Sequence, residues 1–457
     1  MAGISIELRK ILKKESLINL FVATGYSAFL SSGNWIIAVS SIFLFSALAK
    51  ALTTDSHMHI IYQVYITYTV AISMILSGPL QLMFTRYVAD RFFRKELKQL
   101  LPNYFGALVL SMGFSFVISL IISLYLFKEL PYYYNVIFSL TIAVLSGIWI
   151  TNALLTAFRT YKYILLSFFI SYTIIGLSLL FSLHYGLIWS FFSFYIGQVM
   201  LLILLMIKMI IDYPSDKLIE WDFLRKDKSF YSLALIGFFY NFAIWIDKFI
   251  FWFNPLTGEN IFENIRFSIV YDIPVILAYI SLIPGIAVLF LKIEIKFFTE
   301  YDNFYKAVRG SGKLEDLYRL ANKMIEKAQA VYYETLRIQG IALIVFVFLE
   351  EKLLKLLNIP LLYIPLLNIL SVGALLHLGF MVIFSLLSYF DRRKEMLITN
   401  FVFAIGNLVF SLVTQLLGPY YYGYGYVLSL LIALIVGKIM LRRFLNEILY
   451  KTFVNPN

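Results

Sequence analysis

The feature that most constrains this chain is a succession of apolar runs, each long enough to cross a bilayer, separated by short charged segments. A spanning helix needs about 20 mainly apolar residues. By that measure spans are expected near 17–49, 60–85, 103–127, 133–157, 163–183, 186–207, 230–253, 267–291, 338–350, 361–389, 396–417 and 424–441. The ninth looks short because one end merges with the amphipathic stretch before it. The fold class is therefore all-α, a polytopic membrane protein of about twelve helices. The first run follows a short basic amphipathic stretch and is longer than the core of a cleaved signal, so it reads as a retained helix. Composition agrees, since 14% of residues are charged against about a quarter in soluble domains. Cysteine is absent, which excludes disulfides, thiol catalysis and zinc–thiolate sites.

Charge placement orients the spans. Of the 38 Lys and Arg residues, 32 fall in segments read as cytoplasmic and five (Lys50, Lys128, Arg266, Lys352, Lys355) in segments read as external. Lys248 alone lies within a span. This positive-inside bias alternates as an even number of spans requires and places both termini in the cytoplasm. The net charge of +11 thus reflects topology and contact with anionic lipid, not nucleic acid.

Two six-helix bundles are expected, 1–228 and 229–457. The second would carry a cytoplasmic helical insertion at 296–337. A faint repeat supports the halves: Pro79 precedes Arg91-Phe92-Phe93 by twelve residues, and Pro284 precedes Lys296-Phe297-Phe298 by the same interval. Parallel repeats of six helices are a transporter plan. Within the insertion, Leu314, Leu317, Ala321, Met324, Ala328 and Val331 form an apolar stripe at helical spacing. It reads either as a docking face for a cytoplasmic partner or as packing on its own bundle.

Charges inside spans are costly and point to function. Asp247 and Lys248 lie in the seventh span, following Asn241 and Trp245, and Asp272 lies in the eighth, before Pro274. All sit about five residues, or roughly 7–8 Å, from the outer end. Neighbours on a helix point about 100° apart, so the expectation is that Lys248 pairs with Asp272 while Asp247 faces a polar cavity. A structural ion pair, or snorkelling to the surface, is the alternative. At the inner side, Arg86, Asp90 and Arg91 end the second span. They read either as a basic anchor or as a gate in which Arg86 pairs with a carboxylate such as Glu294. Pro79, Pro274 and Pro284 supply bends, because neighbouring helices can satisfy the freed carbonyls. Tyr132–Tyr134, Tyr420–Tyr422, Tyr424 and Tyr426 read as an interfacial belt or a surface for stacking sugars.

Enzyme signals are weak. Gly310-Ser311-Gly312-Lys313-Leu314 imitates a phosphate loop but lacks its first Gly and its Ser/Thr. No Asp-x-Asp pair is present, and His57, His59, His184 and His377 lack metal-ligand spacing. His377, within a span, reads as a satisfied core histidine. No cofactor or metal is expected.

Several motifs in one order do carry a resemblance. They are Met1-Ala2-Gly3-Ile4 with Glu7-Leu8-Arg9-Lys10, Ser32-Gly33-x-Trp35, Ser77-Gly78-Pro79-Leu80-Gln81, and Thr85-Arg86-Tyr87-x-x-Asp90-Arg91. Tyr240-Asn241 with Trp245-x-Asp247-Lys248, Tyr271-Asp272-x-Pro274 and Ile283-Pro284-Gly285 follow. Over essentially its full length the chain resembles the PelG family of Pel exopolysaccharide transporters. It departs from the family pattern at Ser5, Ile6 and Asn34, the last standing where Pro is usual, which bears on a kink at Ser32, Gly33, Asn34 and Trp35. The resemblance implies a fold like that of the multidrug/oligosaccharidyl-lipid/polysaccharide exporters (MATE/flippase-like), in a bacterial inner membrane. It implies export of a hexosamine-rich biofilm polymer with a cytoplasmic glycosyltransferase (PelF-like) and membrane partners (PelD- and PelE-like). From the residues themselves three readings stay open: a synthesis-coupled polysaccharide conduit, an ion-coupled flippase or small-molecule exporter, and a scaffold for a synthase.

Overall fold

The computed structural model describes residues 58–182, 185–310 and 312–453, together with Ile37, Ala38 and Ser41. Apart from those three residues, the expected first span, with its kink residues Ser32, Gly33, Asn34 and Trp35, lies outside the described residues, as do His57, His184 and Ser311. Among the described residues, eleven helical segments are long and apolar enough to cross a membrane. The protein is a multi-pass, predominantly helical membrane protein.

Six spans come first: α1 (Met58–Phe93), α2 (Leu100–Leu126), α3 (Tyr132–Ala157), α4 (Tyr161–Ser182), α5 (Leu187–Asp212) and α6 (Tyr231–Phe253). A small hairpin that the apolar pattern did not announce follows. Strands β1 (Glu259–Phe262) and β2 (Ile265–Phe267) pair antiparallel, with Asn260 opposite Arg266. The seventh span is broken. It runs through α7 (Ile269–Ile280), α8 (Ile283–Leu291), a π-helical turn (Lys292–Phe297) and α9 (Phe298–Arg309). Then come α10 (Leu314–Leu356), α11 (Ile364–Tyr389), α12 (Arg393–Leu417), α13 (Tyr424–Asn446) and the short α14 (Ile448–Phe453).

Contacts divide the chain into two compact units. One contains residues 33–245 and 251–268, and the other contains residues 246–250 and everything from 269 onward. The division does not fall at 228/229 as expected. Most of α6 groups with the earlier helices, and the reason is a glycine contact. A Cβ on Gly237 would stand 2.0 Å from the Gly78 carbonyl oxygen, so only paired glycines let α6 and α1 approach so closely.

In the earlier unit, Ser111, Ser115, Ser119 and Ser123 make a buried small-residue stripe along α2. Ser146 of α3 donates to Ser115 at 2.8 Å. Small side chains of this kind let helices pack when water supplies no hydrophobic drive. The hairpin is fixed from below: the Tyr68 hydroxyl donates to the Arg266 carbonyl at 2.6 Å, the Arg266 guanidinium donates to the Trp252 carbonyl at 3.1 Å, and Trp252 stacks on Tyr68.

In the later unit, the break between α7 and α8 falls where Pro284 cannot donate a backbone hydrogen bond. Beside the break, the Gln339 side-chain amide donates to the Ser281 carbonyl at 2.9 Å. Gly285 packs so tightly there that a Cβ would lie 2.2 Å from Leu378. The segment 296–337 is no separate insertion. Its first part prolongs the broken span and its second part is the front of the 43-residue α10. Leu317, Ala321, Met324, Ala328 and Val331 are buried, whereas Leu314 is exposed. α10 packs on α8, α9 and α11, so the stripe is spent on its own unit. Beyond Ile338 the outward face of α10 is apolar and exposed, including Ile341, Ile344 and Phe348, as a lipid-facing helix requires.

Candidate functional site

Residues 246–250 of α6 bring the two charges Asp247 and Lys248 into the later unit, where they are 0% and 3% exposed. The Lys248 ammonium bonds both oxygens of its neighbour Asp247, at 3.1 and 3.2 Å. The expectation that the two must diverge fails, because the long lysine side chain folds back along the helix. Tyr271 of α7 donates its hydroxyl to Asp247 Oδ2 at 2.8 Å. Asn407 of α12 donates its amide to Asp247 Oδ1 at 3.3 Å and is itself held by the Ser411 hydroxyl at 2.8 Å. A carboxylate offers about four lone-pair sites, and here four donor contacts fill them. Asp247 therefore does not face an open cavity; it is the centre of a packed network joining α6, α7 and α12.

Lys248 is flanked by two phenol rings. Its ammonium lies 5.4 Å from the ring centres of both Tyr279 (α7) and Tyr426 (α13), within range of cation–π attraction. The two hydroxyls meet at 3.1 Å, and the Tyr426 hydroxyl meets His377 Nδ1 at 2.8 Å. His377 is thus part of the network. Asp272, on α7, is 5% exposed and lies near enough to act on the Lys248 charge. Two carboxylates and one ammonium are therefore held together away from water, surrounded by phenol, amide and imidazole groups. Such an assembly persists only if its geometry and hydrogen bonds offset a large desolvation cost.

The other expected site residues lie elsewhere. Asn241, in the earlier unit, donates to the Gly237 carbonyl at 3.0 Å beside the Gly78 contact. Trp245, also in that unit, has its ring 6.4 Å from that of Trp252. Arg86 pairs with Asp90 one turn on, at 3.2 Å. Buried Arg91 pairs with Glu96 and lies over the Tyr87 ring at 5.3 Å. Glu294, in the π turn, accepts from the Tyr389 hydroxyl at 3.5 Å. Pro79 sits inside α1 and Pro274 inside α7. The external tyrosines divide: Tyr132, Tyr133, Tyr420, Tyr421 and Tyr424 are exposed, but Tyr422 and Tyr426 are buried. Tyr426 leaves the belt and joins the network.

Among the described residues, no group of three or more His, Cys, Asp or Glu side chains is placed to hold a metal ion. What the site can do is hold charge and hydrogen-bond a polar group, once one of its present donors gives way.

Solved structures with the same fold are transporters. An outward-facing multidrug resistance MATE family transporter of the MOP superfamily matches with a TM-score of 0.61 at 11% identity, covering 92% of this chain and 96% of that one. Its inward-facing counterpart matches at 0.60 and 11%, covering 94% and 96%. A MOP superfamily transporter from Pyrococcus furiosus, described as having a binding pocket of reverse polarity, matches at 0.63 and 13%, covering 92% and 96%. At such identity the likeness carries the fold alone, and its near-equal strength for both forms says nothing of conformational state. No curated protein matches the sequence. The family model of PelG, "Putative exopolysaccharide Exporter (EPS-E)", matches residues 1–453. By that match the chain, a membrane-spanning protein with a MATE-type fold, belongs to the PelG family of exopolysaccharide exporters.

Proposed function

We propose that this protein carries the Pel exopolysaccharide, a hexosamine-rich polymer of the biofilm matrix, across the bacterial inner membrane as it is synthesised. The observation that carries the reading is the exporter family match across residues 1–453. In this reading both termini are cytoplasmic, a PelF-like glycosyltransferase delivers the chain, PelD- and PelE-like membrane proteins assist, and the protein performs no covalent chemistry itself. The Asp247, Lys248 and Asp272 cluster serves the outer part of the path, with Asn241 and Trp245 on the same helix. Arg86, Asp90, Arg91 and Glu294 serve its inner part, and Pro79, Pro274 and Pro284 give it hinges. Because the Asp247 oxygens already have their donors, a sugar engages this site only when Lys248 or a neighbour is drawn aside. The cluster therefore acts as a latch that opens in response to polymer and not as a standing binding pocket.

The test is a protection assay. Inverted membrane vesicles receive labelled nucleotide sugar and the glycosyltransferase, then glycosidase. Polymer protected only when this chain is present supports translocation. Asp247→Ala, with synthesis unchanged, should lower the protected fraction at least several-fold. Equal synthesis with all polymer digested, partners present, removes the conduit reading.

A further inference from the structure

The mainly apolar stretch of α10 that begins at Ile338 ends on two adjacent glutamates, Glu350 and Glu351. The two point in different directions. Glu351 is turned to water, its side chain 58% exposed, and pairs with Lys355 at 2.5 Å. Glu350 is turned inward and is 5% exposed. A glutamate so near the end of a span can ordinarily keep its carboxylate in water, as Glu351 does. Among the described residues, Glu350 has one hydrogen-bond partner, Asn368 of α11, whose Nδ2 donates to Glu350 Oε1 at 3.1 Å. The other oxygen of each group, Glu350 Oε2 and Asn368 Oδ1, is buried without a donor. Leu354, one turn on from Glu350, and Leu367, next to Asn368 in sequence, are fully buried as well.

Two orphan acceptors on partners that already share a bond call for a donor between them. An ionised carboxylate only accepts, and so does an amide oxygen. As a carboxylate, Glu350 therefore leaves both oxygens unpaired. Turning the amide over exchanges its nitrogen for its oxygen and only moves the mismatch to Oε1. A protonated carboxyl group gains one O–H donor. With the proton on Oε2, that O–H is donated to Asn368 Oδ1 while Nδ2 continues to donate to Oε1. Acid and amide then close a ring of two hydrogen bonds, and one proton satisfies both orphans. No cation supplies the need instead: Lys352 is exposed, and Lys355 is held by Glu351. Among the elements packed on α10, α8 has no titratable side chain. α11 offers only His377, nine residues beyond Asn368 and bonded to Tyr426, and the turn before it offers Tyr363. The charges of the π turn and α9 sit against the front of α10, where Lys292 pairs with Glu334. α14 follows α13 at that same end, where Lys438 meets Tyr332.

We propose that Glu350 and Asn368 form a proton-binding site, in which Glu350 is a carboxylic acid at neutral pH and its proton fastens α10 to α11. Loss of the proton leaves a buried carboxylate with a single donor, a costly state, so deprotonation loosens this end of α10 from α11. α11 also carries His377, which places the proton one helix away from the Asp247 network. The later unit thereby answers to pH at a position apart from Asp247, Lys248 and Asp272.

The test is difference infrared spectroscopy on the full chain in nanodiscs at neutral pH, wild type minus Glu350→Gln. Glutamine offers an N–H where the acid offers its O–H, so this variant keeps both hydrogen bonds and should fold with an unchanged thermal midpoint. The difference spectrum should contain the carbonyl stretch of one protonated carboxyl group. Wild type minus Glu351→Gln should contain a carboxylate band instead. Asn368→Leu removes both partners of the acid and should shift the Glu350 carbonyl stretch. As pH is raised, the midpoint of the wild type should fall more than that of Glu350→Gln. The sign follows because stability carried by a proton bound in the folded state is lost as pH rises. Two results overturn the proposal. One is a carboxylate band in wild type minus Glu350→Gln, which would mean that the two oxygens meet through a water or a metal cation. The other is the same pH dependence of the midpoint in both proteins.

Discussion

At the scale of single residues, the buried ion pair is the most exacting feature of the chain. Removing one partner of such a pair leaves an uncompensated charge, at a cost of about 3–5 kcal/mol, whereas replacing both with apolar groups is far milder. Lys248→Met alone and Asp247→Leu alone should each destabilise the purified protein by that amount, and the double variant should recover most of the loss. A double-mutant cycle on denaturation midpoints in detergent measures this. The geometry places the stronger coupling with Asp247, which the ammonium touches at 3.1 Å, so a cycle pairing Lys248 with Asp272 should show a smaller coupling. Additive losses for Asp247 and Lys248 would mean the pair does not act as a unit. The three charges were legible in the sequence because charge inside an apolar span has few structural excuses. Tyr279 and Tyr426 were not, because a neutral phenol among 33 tyrosines carries no individual signal. One sign was available: Tyr422, Tyr426, Ser429, Ala433 and Gly437 recur at helical spacing, and all are buried. That places Tyr426 on the inward face of α13 while Tyr420 and Tyr421 point away.

At the scale of elements, most spans were readable from length and apolarity, and those that differed did so for local reasons. The eighth expected span stops at residue 291 on hydropathy, yet its helix continues because a π turn at Lys292–Phe297 carries the backbone on into α9. Hydropathy marks where a helix leaves the hydrocarbon, not where its hydrogen bonds end. The front of α10 was legible as an amphipathic helix but not its partner, since a stripe of Leu, Ala and Met fits its own bundle as well as another protein. The glycine contact between α1 and α6 was invisible for a related reason: Gly78 and Gly237 are far apart in sequence and only their meeting explains them. Gly237→Ala would push a Cβ against the Gly78 carbonyl, and overpacking of this kind costs typically 1–3 kcal/mol. Gly113 on α2 has open space where its Cβ would stand, so Gly113→Ala should be neutral or stabilising by about 0.5–1 kcal/mol. Thermal midpoints of the two variants in the same detergent should move in opposite directions or differ clearly. An equal response would show that the helix contact is not limiting.

At the scale of the whole molecule, the proposed orientation rests on alternation of charge, and the helices give that argument a countable form. Between Lys217 and Leu256 the chain crosses once, through α6. Between Leu256 and Arg319 it crosses once more, through the broken span of α7 to α9. Lys217 and Arg319 must therefore share one side of the membrane and Leu256 must face the other, whatever the conformational state. Leu256 is 86% exposed, and the Lys217 and Arg319 side chains are 73% and 67% exposed, so all three can meet a reagent. The chain has no cysteine, which lets single substitutions be read without background. In intact spheroplasts a membrane-impermeant maleimide should label Leu256→Cys and leave Lys217→Cys and Arg319→Cys untouched, and in inverted vesicles the pattern should reverse. Labelling of Leu256→Cys together with Arg319→Cys from one side would break the crossing count and with it the reading of α7 to α9 as one span. Labelling of Lys217→Cys and Arg319→Cys from outside would invert the molecule. A cytoplasmic synthase could then no longer reach the proposed inner part of the path, and synthesis-coupled export would lose its entrance.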